Sequence, residues 1–139
     1  MPKLLTIAVD FDGTIVENRY PKIGKSLLFA IETLKKLQEE GHQLILWTYR
    51  TGPELKEAVD FCKSKGLEFY CVNKSYPEEL YDNTLSRKIQ ADVFIDDRNI
   101  GGLLGWGEVY QSLSNKTPAK TELKIKKNKP KTSFFGFFK

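Results

Sequence analysis

The chain has 139 residues, room for one domain with a real hydrophobic core and a short appendage. Its 40% hydrophobic and 29% charged residues match soluble globular usage and exclude a wholly disordered chain; no apolar run approaches the roughly 18 residues that a membrane span needs. The net charge of +4 is unevenly placed: residues 1–114 carry 14 Lys/Arg against 17 Asp/Glu, while residues 115–139 carry eight Lys against one Glu. The basic character belongs to that terminal segment, so there is no strong case for nucleic-acid binding by the domain.

At the N-terminus, a short apolar stretch runs directly into Asp10 and Asp12, where a signal peptide would present small residues, so a cytoplasmic setting is expected. Leu4 to Val9 is almost wholly apolar and predicts a strand buried on both faces of a parallel sheet. From Ser26 to Glu40 apolar residues recur at helical spacing, and Gly41 follows where a left-handed cap would sit. Gln43–Tyr49 predicts a second strand, Pro53–Lys65 a helix with an early proline and Gly66 past its end, and Leu67–Val72 a third strand. After a polar loop containing Tyr76 and Pro77, Ala91–Ile95 predicts a fourth strand. Gly101, Gly102, Gly105 and Gly107 then predict a loop, followed by a short helix over Val109–Leu113. The alternation implies an α/β fold: a three-layer, Rossmann-like open parallel sheet with helices on both faces. Residues 1–114 form the expected domain and 115–139 a separate tail. Cys62 and Cys71, without CxxC spacing, read as reduced structural thiols.

In an open α/β sheet, ligands bind outside the carboxyl ends of the strands, and those ends here hold Asp10, Thr48 and Asp96. One such aspartate can simply cap a turn. Several converging on one rim form a hard-oxygen cluster suited to Mg²⁺. The lone His42 lies at the opposite end of its strand from Thr48 and is a poor catalytic candidate.

Asp10-Phe11-Asp12-Gly13-Thr14, directly after a buried strand, resembles the signature motif of the haloacid dehalogenase superfamily of phosphotransferases. Thr48 is similar to that family's second motif, Lys88 to its basic residue before the fourth strand, and Asp96-Asp97 to its final acidic motif; the match spans roughly residues 4–103. The resemblance implies a Mg²⁺-dependent phosphomonoester hydrolase. Asp10 would be the nucleophile forming an aspartyl-phosphate, Asp12 the general acid and base, and Thr48 and Lys88 the cradle for the phosphoryl oxygens. The metal would be held by Asp10, the main-chain carbonyl of Asp12, and Asp96, with Asp97 as the alternative ligand or as a group orienting Lys88 or a metal-bound water. Arg87 is a rival to Lys88, because proline does not follow Lys88 as it often does in the family. Arg50 reads equally as an anion-binding group and as a solvated surface arginine.

Neither interval between motifs has room for an inserted cap domain, so a capless member is implied, with Val16–Ile23 and Gly101–Gly107 as loops over an open site. The phosphorylated substrate, small or macromolecular, and a homo-oligomeric state stay open. The tail's eight lysines and its Phe134-Phe135-Gly136-Phe137-Phe138 terminus allow two readings: phenylalanines docked on a groove, or weak contact with an anionic membrane. The non-enzymatic alternative is a catalytically weak binding module of the same fold, tethered to a membrane or partner by this tail.

Overall fold

The structure, a computed structural model, describes residues 3–114; the expectations for the 115–139 tail lie outside the described residues. In chain order the elements are β1 (Thr6–Val9), β2 (Val16–Arg19), β3 (Lys22–Ser26), α1 (Ala30–Glu39), β4 (Gln43–Leu46), α2 (Gly52–Ser64), β5 (Cys71–Val72), β6 (Val93–Ile95) and α3 (Trp106–Ser114). Four strands form one sheet in the order β5-β4-β1-β6, and every pairing in it is parallel. A separate antiparallel hairpin, β2–β3, follows β1.

The period-2 alternation of the strands divides the apolar residues cleanly. Ile7, Val9, Leu44, Leu46 and Ile95 share one cluster with the buried residues of all three helices, among them Leu34 and Leu37 of α1, Ala58 and Cys62 of α2, and Trp106 and Val109 of α3. Ala8, Ile45 and Cys71 form the second cluster with Ile89, flanked by Trp47, Ala91 and Phe94. The three helices among the described residues therefore pack on one face, and no helix among those residues covers the other. The opposite face is covered by irregular chain between β5 and β6. That segment, residues 73–92, is rich in polar and turn-forming residues and has no apolar repeat at helical spacing, so it supplies Ile89 and Ala91 to the sheet without forming a helix.

Several predicted boundaries move for identifiable reasons. The helix expected from Ser26 begins only at Ala30, because Ser26 pairs with Val16 in the hairpin and Phe29 takes φ 68 before the first helical turn. Leu28, which fitted the helical period, is exposed, as is Phe29 beside it. The loop expected over Val16–Ile23 is instead most of the hairpin. The third strand shrinks to Cys71–Val72 at the sheet edge, while α3 starts earlier than its glycines suggested. Its first residue, Trp106, is buried, and its indole N–H donates to the Thr14 carbonyl at 2.9 Å. Gly41 and Gly66 do take positive φ past the ends of α1 and α2. Cys62 and Cys71 are free and buried, and burial pushes the Cys62 thiol up to about 12. No helix among the described residues is long and apolar enough to cross a membrane.

The order β5-β4-β1-β6 places the site. From β1 the chain moves outward through β4 to β5, then returns to lay β6 on the other side of β1. The direction of winding reverses between β1 and β6, and a crevice opens at the carboxyl ends of strands at such a point.

Candidate active site

At that crevice the backbone N–H of Asp10, one residue past β1, donates to the Ile95 carbonyl at the end of β6 at 3.0 Å. This bond sets Asp10 beside Asp96 and Asp97, and one carboxylate oxygen from each of the three lies within 4.8 Å of the others. Thr14 is the hub of the cluster. Its hydroxyl lies 3.0 Å from Asp10 Oδ2 and 3.2 Å from Asp97 Oδ1, within reach to donate to either, and accepts the Asp97 backbone N–H at 3.0 Å. The chain can turn this tightly because Gly13 adopts φ +88, and a Cβ at that position would overlap the Asp97 carboxylate. Asp96 bends one oxygen back to accept the Arg98 N–H at 2.9 Å.

Three carboxylates at this spacing repel one another. Burial first, then the hydrogen bond shared with Asp97 and the charge of Asp96, raise Asp10 to about 7, with the Thr14 hydroxyl and the Phe11 backbone opposing. A cluster so short of positive charge, made only of hard oxygen donors, fits a divalent cation. Asp97 enters it beside the Asp10 and Asp96 expected from the sequence.

Asp12 has a different environment. It is buried, and both of its oxygens accept from Arg50: Nε at 2.7 Å to Oδ2 and Nη2 at 2.8 Å to Oδ1. Arg50 is itself 0% exposed. Its remaining N–H groups donate to the carbonyls of Pro21 and Lys22 in the hairpin and Glu54 in α2. Its guanidinium lies 5.1 Å from the ring centre of Phe11 and 5.1 Å from that of Tyr20. The reading of Arg50 as a solvated surface residue is therefore corrected, and it does not stand free for an anion either. It joins the turn after β1, the hairpin and α2. A bidentate fork on a carboxylate is a strong, directional pairing.

Thr48 sits just past β4, its backbone N–H held by the Asn73 side chain at 2.8 Å and its hydroxyl accepting the Arg50 N–H at 3.1 Å. With Asp10, Asp12 and Asp96 it lines a cleft of about 650 Å³. Asn18, Trp47, Tyr49 and Arg98 complete the walls. Lys88 does not line it. The structure does not bring Lys88 to this cleft, where it was expected: it lines a separate cavity with Thr6 and Asp92, at the opposite ends of β1 and β6, and its ammonium lies 5.9 Å from the Phe94 ring. Register explains the difference. Phe94 and Ala8 point to the sheet face away from the helices, and Lys88, next to Ile89, follows that face. Arg87 lines a neighbouring cleft that shares Thr48 with the acidic one. Among the described residues the cation lining the acidic cleft is Arg98, which sequence reasoning passed over; its position two residues past Asp96 was the available signal. His42 is buried far from this rim, its Nδ1 accepting the Leu5 N–H at 3.0 Å.

Comparison with protein-family models and with curated proteins gives no match. Among solved structures, a conserved protein from Bacteroides thetaiotaomicron is 55% identical, with a TM-score of 0.78 over 85% of this chain and 96% of that one. At that identity and coverage, the chain belongs to the same family as the conserved Bacteroides protein.

Proposed function

We propose that this protein is a capless phosphomonoester hydrolase of the haloacid dehalogenase type that uses Asp10 as nucleophile and Mg²⁺ as cofactor. The observation that carries the reading is the Asp10, Asp96 and Asp97 cluster at the winding reversal of the sheet, opening into a cleft rimmed by Thr48 and Arg98. Asp10, Asp96 and Asp97 would hold the cation, with the Asp12 carbonyl as a further donor. Such a cation neutralises the repulsion between a carboxylate nucleophile and a phosphate dianion.

In this scheme an Asp10 oxygen attacks phosphorus, and the bond from phosphorus to the ester oxygen breaks. The leaving oxygen takes a proton from Asp12, and a water that gives its proton back to the Asp12 carboxylate then attacks the aspartyl-phosphate to release inorganic phosphate and restore Asp10. The Thr48 hydroxyl and Arg98 line the cleft in which the phosphoryl group is handled, Arg98 taking the place expected for Lys88. For Asp12 to act as general acid and base, one of its oxygens must leave Arg50. The hairpin carries two of the carbonyls that hold Arg50, so its movement is the natural way to release that oxygen. The free, buried thiols suit a reducing, cytoplasmic setting.

The Asp12–Arg50 fork also favours a second reading, the catalytically weak binding module, because Asp12 offers no free oxygen in this state. Turnover of a generic phosphomonoester with and without Mg²⁺ decides between them. The hydrolase reading expects Mg²⁺-dependent release of phosphate that falls by at least about 10³-fold in Asp10→Asn. Substantial activity in Asp10→Asn, or full activity after exhaustive chelation, overturns it.

A further inference from the structure

A second cleft, of about 580 Å³, adjoins the acidic one through a common wall of Trp47, Thr48 and Tyr49. We propose that this cleft is the leaving-group subsite of the same active site, and that it selects phosphomonoesters whose leaving group is flat and carries a negative charge at its far end. The inference rests on the phosphohydrolase reading above.

Three observations carry it. The first is continuity: a substituent that leaves the acidic cleft past Thr48 enters this one, and its volume falls in the range that takes a small organic group. The second is its apolar surface. Tyr49 is 59% exposed, Tyr81 54% and Leu80 82%, and all three line the same depression with Trp47. Large apolar side chains gathered around one concavity mark a binding surface, and ring faces recognise flat groups.

The third is charge. Lys74 and Arg87 line this cleft, and among the described residues neither makes a salt bridge. The Arg87 guanidinium lies 5.0 Å from the Tyr81 ring centre, placing a cation against an aromatic wall. Glu79 also lines the cleft, its Oε1 accepting the Ser75 N–H at 2.8 Å, so the lining holds two cations against one carboxylate. The cleft therefore pairs aromatic faces with two available cations, next to a rim that is strongly acidic. A neutral polyol phosphate would use neither feature, and a cationic leaving group would meet Lys74 and Arg87.

The test compares kcat/KM of the full chain with Mg²⁺ for para-carboxyphenyl phosphate, phenyl phosphate and glycerol phosphate. The expected order is the one just given, with about a tenfold gap between the two aryl esters, the size that two solvent-exposed ion pairs supply. The double variant Lys74→Gln, Arg87→Gln should bring the ratio of the two aryl esters close to one. A folding defect scales both rates and leaves that ratio alone. Equal rates for the two aryl esters in the wild type, or an unchanged ratio in the double variant, overturn the subsite while leaving the hydrolase reading standing. If no ester is turned over, the hydrolase reading falls and the subsite is judged by binding, with para-carboxybenzylphosphonate and benzylphosphonate titrated against tryptophan fluorescence. Tighter binding of the carboxylated probe that disappears in the double variant upholds the cleft's selection of a flat, anionic group without a leaving-group role, and equal affinities overturn it.

Discussion

Asp10 and Asp12 are two residues apart on one turn, yet they have opposite surroundings. Asp12 is buried against a guanidinium whose five N–H donors are all used, so its charge is matched within the chain. Asp10 faces two further carboxylates, and its most direct hydrogen-bonding help is a threonine hydroxyl. Where the protein supplies its own cation, the carboxylate becomes a structural pin. Where it supplies more carboxylates, their mutual repulsion is left unmatched within the cluster.

The sharpest way to break this contrast is Arg50→Ala. It leaves the Asp12 charge buried without a partner and frees the hairpin, and should cost about 3–5 kcal/mol of stability in a denaturant titration. Adding Asp12→Ala should restore part of that loss, and strictly additive losses would show that the two side chains do not act as a pair. Next in size is Gly13→Ala, which combines a strained positive φ with overlap of the Asp97 carboxylate and should cost about 2–3 kcal/mol. A cost below about 0.5 kcal/mol would mean that Asp97 can move away freely, and the close packing of the acidic cluster would be wrong.

A third test uses pH on the metal-free protein. Asp10 stands at 3.8 as a free carboxyl and at about 7 when folded, so between those values the folded chain keeps a proton that the unfolded chain has released. Its contribution is fully present below about pH 4 and is lost as pH rises through about 7. A shift of that size carries roughly 4 kcal/mol, and partial solvent screening leaves about half of it. Thermal melts in chelator should therefore fall between about pH 4 and pH 8, and Asp10→Asn should flatten that part of the profile. Added Mg²⁺ should raise the wild-type melting temperature most at the alkaline end, and no such gain would count against a cation site. The smallest effect is expected for Lys88→Ala, within about 0.5 kcal/mol in stability and within about twofold in turnover. A hundredfold loss of turnover would return Lys88 to the phosphoryl cradle and displace Arg98.

The elements written in local pattern were legible. The apolar run into Asp10, the periodic stretch through Leu34 and Leu37, and the glycines at 41 and 66 all lie where local chemistry put them. The hairpin was hidden, because Leu27 and Leu28 continue the helical period by coincidence while backbone pairing to Val16 claims Ser26. In the site, Asp10, Thr48 and Asp96 could be foreseen because a strand's carboxyl end is a local property. Lys88 misled for the complementary reason: nearness in sequence to a strand does not say which face or which end of the sheet a loop residue reaches.

The sequence alone determined the parallel α/β alternation, the acidic rim and the concentration of lysines in residues 115–139, since each follows from residue type, period and charge within short windows. Only the tertiary structure decided that the helices share one face, that Arg50 is buried as the partner of Asp12, and that Asp97 joins Asp10 through Thr14. Those outcomes depend on pairs 38, 83 and 92 residues apart in the chain. The physical reason is that a buried charge or carbonyl must find its partner wherever the packed chain brings one, and no local rule says where that is.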